Sequence, residues 1–214
     1  AVINISTLAE SKFIWWLGDD EIFPKKLDHV INIIKQHISS NFFWANYKRG
    51  EFSGISLSEN RYFKDKDEIL KLAGLGLGFC SALIMKKKIV TESLKTVRPF
   101  IGSYFVTLYI CMFVIINSKR LYCISEHIIK NKPASKEDFI ENMIDKNGVI
   151  NNPGFEIFGI NSIKIFNHFG HHFEKKTIKK IKRKIFRDAW KGVIVGWIGG
   201  WDSPKGKTKL IFNN

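Results

Sequence analysis

Apolar residues recur along this chain at helical and at strand spacing, and the elements change where the period changes. Val2, Ile5, Leu8 and Ala9 lie three and four apart, as on the tail of a helix. Phe13 to Leu17 is an unbroken apolar, aromatic run of strand length that stops at Gly18. Asp19, Asp20 and Glu21 follow, and Pro24 opens a stretch in which Leu27, Val30, Ile31, Ile34 and Ile38 mark one face of a helix over Pro24–Ile38. Asn41–Tyr47 is short and aromatic, a second strand. Lys48–Lys66 is polar, contains Gly and Ser, and keeps no period, which predicts a loop with room for a short hairpin. Asp67–Gly74 reads as a short helix, Leu75-Gly76-Leu77-Gly78 as a glycine-rich turn, and Phe79–Met85 as a continuous apolar strand closed by Lys86, Lys87 and Lys88.

The second half is predicted to be mainly helical. Phe100–Asn117 is the most apolar stretch, near the lower limit of about 20 residues that cross a bilayer. Gly102, Ser103, Tyr104, Thr107 and Tyr109 within it favour a helix buried in the protein or bordering a cleft over a membrane span. Apolar positions in Leu121–Lys130 fit another helix, which Pro133 ends. Ser135-Lys136-Glu137-Asp138 has the form of a capping box for one more, running to Gly148. Asn151–Gly170 has no dominant period. His168, His171 and His172 follow one another closely, but without further ligands they read as ordinary histidines. In Glu174–Lys191, Ile178, Ile181, Ile185 and Phe186 form an apolar stripe among nine lysines and arginines, a basic amphipathic helix that carries Trp190 near its end and is followed by Trp197 and Trp201.

Composition narrows the class. At 214 residues, 45% of them hydrophobic and 14% aromatic, the chain can build a substantial core, and general disorder is excluded. Thirty-four lysines and arginines against 20 acidic residues give a net charge of +14, which points to an anionic partner without choosing among a lipid surface, nucleic acid and a phosphorylated substrate. Cys80, Cys111 and Cys123 stand in apolar surroundings without metal-type spacing and read as reduced core residues of a cytoplasmic protein. No signal peptide is visible.

The chemistry worth following is in the acidic turn. Carboxylates at the carboxyl end of a sheet strand are placed to hold a divalent cation against a phosphorylated ligand. Acidic residues ahead of a helix also cap it and complement its dipole, so the residues alone leave both readings open. The order of helix end, strand, Trp16-Leu17-Gly18-Asp19-Asp20-Glu21, proline-started helix and second strand resembles the middle of a family 2 glycosyltransferase of the GT-A type, in particular the bacterial enzymes that build surface polysaccharides. Gly18 stands where many relatives have Asp, and Glu21 where they often have a third Asp. The resemblance covers roughly residues 1 to 117.

That resemblance implies an α/β fold: a partial GT-A, Rossmann-like sheet with flanking helices, followed by a mainly helical part. It divides the chain into a catalytic portion over 1–117 and a helical, basic region over 118–214. It implies that the family's nucleotide-binding units precede Ala1, so that the chain is the back part of a catalytic domain. It makes Asp20, helped by Asp19, the ligands of Mg²⁺ or Mn²⁺ on the diphosphate of a nucleotide-sugar donor. It sets Trp16 and Gly18 of the motif, Asn46 and Tyr47 at the second strand's end, and Gly78 and Ser81 of a Gly-Phe-x-Ser entry beside donor and acceptor. The implied reaction is inverting transfer of the sugar to a saccharide or lipid-linked acceptor. The helix after the core strand usually begins in the family with an acidic pair that supplies the catalytic base; here Ile101-Gly102-Ser103-Tyr104 occupies that place, and the base is unassigned. Two further readings stand beside this one: a non-catalytic basic module that binds an anionic membrane, or less readily nucleic acid, and an inactive glycosyltransferase fragment. Residues 174–201 suit peripheral contact with an anionic membrane, at the inner face of the cell membrane.

Overall fold

The computed structural model describes residues 6, 8–17, 21–23, 26–49, 52–103, 105–130 and 159–198. Among them a mixed sheet is built from β1 (Phe13–Trp15), β2 (Glu21–Ile22), β3 (Phe42–Arg49), β4 (Phe52–Ser53), β5 (Arg61–Tyr62), β6 (Leu83–Lys86) and β7 (Leu121–Lys130). Its order is β1-β6-β3-β7-β2, with β4 paired to β3 and β5 to β7. The helices are α1 (Lys26–Gln36), α2 (Lys66–Ala73), α3 (Lys87–Leu94), α4 (Val106–Ile116), α5 (Ser162–Phe169) and α6 (Lys175–Ile198), and short 3₁₀ turns cover Gly74–Gly78, Cys80–Ala82, Arg98–Phe100 and Gly170–His172.

Strand alternation assigns the two faces. Phe42, Trp44, Leu83, Met85, Leu121 and Cys123 pack with α2, α3, α4, α5 and the isoleucines of α6 in one core. Phe43, Ala45, Ile84, Tyr122, Ile124 and Ile129 point the other way and pack with Val30 and Ile33 of α1. Because both faces are covered, the central strands read as nearly continuous apolar runs. α4 is the largest helical contributor, with seven of its 11 residues buried. No helix among the described residues is long and apolar enough to cross a membrane, and of the predicted Phe100–Asn117 helix the part Val106–Ile116 is helical and largely buried.

Two predicted elements are corrected. Leu121–Lys130 is a strand, not a helix, and it lies inside the sheet between β3 and β2, parallel to β3 from Phe42↔Leu121 to Lys48↔Lys130. The sheet therefore continues past residue 117, where the sequence suggested that a helical region begins. The helical pattern arose from Leu121, Ile124 and Ile128, spaced three and four apart. In the structure that spacing belongs to an irregularity: β3 advances from Ala45 to Tyr47 while β7 advances from Ile124 to Ile129. The extra β7 residues place Ser125, Glu126 and His127 away from the core and return Ile128 and Ile129 to it. The second correction concerns Phe79–Met85, of which only Leu83 onward is strand. Cys80–Ala82 forms a 3₁₀ turn closed by Ala82 N–H to Phe79 C=O at 3.1 Å. In addition, Ser162–Phe169 is helical although no period marked it. The helix foreseen after Ser135 lies outside the described residues.

Candidate functional site

β1 is antiparallel to β6, β6 is antiparallel to β3, and β3 is parallel to β7, so β1, β3 and β7 run in one direction and their carboxyl ends share one edge of the sheet. The chain leaves β1 at Trp15 on one side of that edge and re-enters the sheet at Glu21, which pairs with Lys130 at the carboxyl end of β7. Gly18, Asp19 and Asp20, which lie outside the described residues, join these two points. β6 runs oppositely, so the Gly78–Ala82 segment that precedes it arrives at the same edge, as does Asn46-Tyr47 on β3. Strand direction thus brings together three segments that the sequence singled out separately.

Their side chains are closely tied. Trp15 Nε1–H donates to the Ser81 carbonyl at 2.8 Å, clamping the 3₁₀ turn to β1. Trp16 is buried, and its Nε1–H donates to Ser6 Oγ at 3.1 Å. Ser81 is fully buried. Tyr47, half-buried, meets the Phe79 ring edge-on at 4.6 Å. A Cβ added to Gly54 would stand 2.6 Å from Tyr47 Cε1, so glycine at 54 is what lets the loop after β4 close over that ring. A Cβ on Gly78 would stand 2.7 Å from Phe105 Cε1, while the Gly78 carbonyl accepts from Thr107 Oγ1 at 2.9 Å. Gly78 is thus a place of close backbone approach between the glycine-rich turn and the start of α4.

Asn46 is 1% exposed, and its amide is spent on the fold. Nδ2 donates to the carbonyls of Ile55 at 2.8 Å and Ser125 at 2.9 Å, while Oδ1 accepts from the backbone N–H of Ile55 at 2.9 Å and of Tyr47 at 3.1 Å. Both amide hydrogens are committed, so Asn46 holds the β7 irregularity and the loop after β4 in register at the shared edge. Sequence reasoning placed Asn46 there but had no means of finding partners as distant as Ser125.

Charge is distributed unevenly around the sheet. At the amino end of β1, away from the shared edge, Lys12, Lys86, Lys87, Lys88 and Lys95 line a groove of about 530 Å³. Near α1, Glu126 on the outward part of β7 is ion-paired with Lys26 and lies 3.4 Å from His29, and Lys26 holds its carboxyl below the usual range. On β5, Arg61 forks onto Glu68 with contacts of 2.6 and 3.3 Å, again lowering the carboxyl's pKa. Asp67 accepts from the Glu174 backbone N–H at 3.0 Å. These carboxylates have structural partners. Cys80, Cys111 and Cys123 are free; burial pushes the Cys123 thiol up to about 12 and Cys111 well above its ordinary value. His168 packs against the rings of Phe100 and Tyr109, while burial lowers the pKa of His172. Among the described residues no three His, Cys, Asp or Glu side chains gather closely enough to hold a metal ion.

The described residues define a mixed α/β sheet flanked by helices and followed by a helical region. No family model matches the chain, and no curated protein matches it. Solved structures do. S. aureus TarS 1-349 aligns with a TM-score of 0.48 at 15% identity, over 96% of this chain and 53% of that one. The same protein in complex with UDP-GlcNAc gives 0.47 at 12% identity over 91% and 70% of the two chains, and in complex with UDP 0.47 at 14% over 98% and 74%. The chain spans about half the length of the first of these structures.

Proposed function

We propose that the protein is a glycosyltransferase that moves a sugar from a nucleotide-sugar donor to a saccharide or lipid-linked acceptor. The observation that carries this reading is the meeting, at one sheet edge, of the ends of the acidic turn with Asn46-Tyr47 and the Gly78–Ser81 segment. A ligand spanning a diphosphate and a sugar needs hard oxygen ligands for a cation next to a rigid apolar and aromatic wall. The turn's sequence supplies the first in Asp19 and Asp20, and the half-buried Tyr47 and Phe79, backed by the buried Trp16, supply the second.

Two adjacent carboxylates suit Mg²⁺ or Mn²⁺, with Asp20 as principal ligand and Asp19 assisting; such an ion, when bound, would neutralise charge on the departing nucleoside diphosphate. The chain's own part is positioning. The Trp15–Ser81 hydrogen bond fixes the turn before β6, Asn46 fixes Tyr47 and the Ile55 loop, and Gly78 admits Phe105 beneath them. Attack by the acceptor hydroxyl on the anomeric carbon would proceed with inversion, as in the family that the motif resembles.

TarS has been seen with UDP-GlcNAc, which makes this nucleotide sugar the first donor to test. Titration calorimetry of the protein with UDP-GlcNAc and Mn²⁺ is expected to show metal-dependent donor binding that Asp20→Ala removes. In the intact protein the same substitution is expected to abolish transfer. Binding or turnover unchanged by Asp20→Ala overturns the assignment.

A further inference from the structure

The cationic helix has a surface that the donor chemistry does not use. The sequence suggested that this basic amphipathic helix contacts a membrane; of its apolar stripe the structure gives the three isoleucines to the protein's own core and leaves Phe186 outside. Thr177, Ile178, Ile181 and Ile185 are buried, the isoleucines within the core shared with α4 and α5. The lysines and arginines of the first half of α6 are thereby turned outward in two ridges of i, i+4 spacing, Lys175-Lys179-Arg183-Arg187 and Lys176-Lys180-Lys184. Among the described residues, Glu174 engages Lys71 and Lys176, and Asp188 engages Arg187. Lys179, Lys180, Arg183 and Lys184 have no carboxylate partner there.

A second feature opens on the same face. Between α5 and α6 lies a groove of about 340 Å³ lined by Asn167, His171, Lys175, Lys179, Lys182 and Arg183, with Lys182 Nζ donating to Asn167 Oδ1 at 2.6 Å. A phosphate-bearing headgroup fits this lining in charge and size. Phe186, 51% exposed, stands on the outward arc among the cations.

We propose that the outward face of α6, with the α5–α6 groove, docks the protein on an anionic phospholipid surface by electrostatic attraction rather than by inserting its apolar stripe. A linear array of like charges on one helix complements a planar anionic surface. Single-stranded RNA would want a row of stacking aromatics, and among the described side chains this face presents one ring, Phe186. The proposal is independent of the donor site.

Sedimentation of the full chain with phosphatidylcholine vesicles, with and without phosphatidylglycerol, tests it. Binding is expected only with the anionic lipid and is expected to fall steeply as salt is raised. The triple variant K179Q/K180Q/R183Q is expected to bind those vesicles about 100-fold more weakly, while the arginine variant K179R/K180R keeps its affinity. UDP-GlcNAc titration of the triple variant is expected to match the parent, separating this surface from the donor site. Equal binding to neutral vesicles, binding of the parent chain indifferent to salt, unchanged binding of the triple variant, or displacement by single-stranded RNA at equal phosphate concentration overturns the proposal. The salt titration uses the unaltered protein, so the test stands even if the triple variant folds poorly.

Discussion

In β3 the polar side chain of the buried segment, Asn46, is 1% exposed and bonds Ile55, Ser125 and Tyr47, whereas in α6 the cations stand in solvent above three buried isoleucines. Both elements mix polar and apolar residues, yet the polar groups have opposite duties. Inside the sheet an amide substitutes for the regular ladder where β7 is irregular, and removing it strands backbone groups that water does not reach. On α6 the charges add little to the fold and are available for what lies outside. Functional residues are therefore to be sought at the sheet edge through positioning, and on α6 through binding.

The largest effect is expected from Asn46→Ala. It leaves the Ile55 N–H and the Ile55 and Ser125 carbonyls without their partner, and urea unfolding is expected to show a loss of about 3 kcal/mol. A loss below about 1 kcal/mol would mean that water replaces the amide, and the contrast with α6 would fail. Next comes Gly78→Ala, whose Cβ would press on Phe105 at 2.7 Å and is expected to cost about 1–3 kcal/mol. Recovery of part of that loss in a Gly78→Ala, Phe105→Leu double variant would identify the ring as the cause.

Glu68→Gln sharpens the comparison at an intermediate position, since Arg61 and Glu68 are only 28% and 20% exposed. The hydrogen bond from Arg61 lowers the folded pKa of Glu68 below the unfolded value of about 4.3. The pair's contribution, about 1 kcal/mol, is therefore present above that value and lost as pH falls through the folded pKa. Thermal melts of parent and Glu68→Gln are expected to differ near neutral pH and to converge in acid. The smallest effect is expected from K179Q/K180Q/R183Q, whose unfolding free energy should stay within about 0.5 kcal/mol of the parent while its lipid binding falls. A larger stability loss would mean that the outward cations serve the fold after all.

Several elements were legible because their signals are local. The helix over Lys26–Gln36 follows from three-and-four spacing, β3 from its aromatic run, and α6 from its apolar stripe. Trp16, Asn46, Tyr47 and Ser81 were singled out by the resemblance of their motifs, while their meeting at one sheet edge follows from strand direction. β7 was not legible: a strand covered on both faces loses its alternation, and its irregularity set Leu121, Ile124 and Ile128 at helical spacing. The turn at Cys80–Ala82 was missed for a related reason, since an apolar run does not announce that Trp15 will take the Ser81 carbonyl.

By itself the sequence determined where apolar faces exist, which turn carries the carboxylates and which helix carries the cations, because each is a property of residues within a few positions of one another. Only the tertiary structure decided that Leu121–Lys130 adds to the sheet, that Asn46 serves Ile55 and Ser125, and that the isoleucines of α6 belong to the protein's own core. Those outcomes depend on partners dozens of residues away, and burial against them overrides local period and propensity.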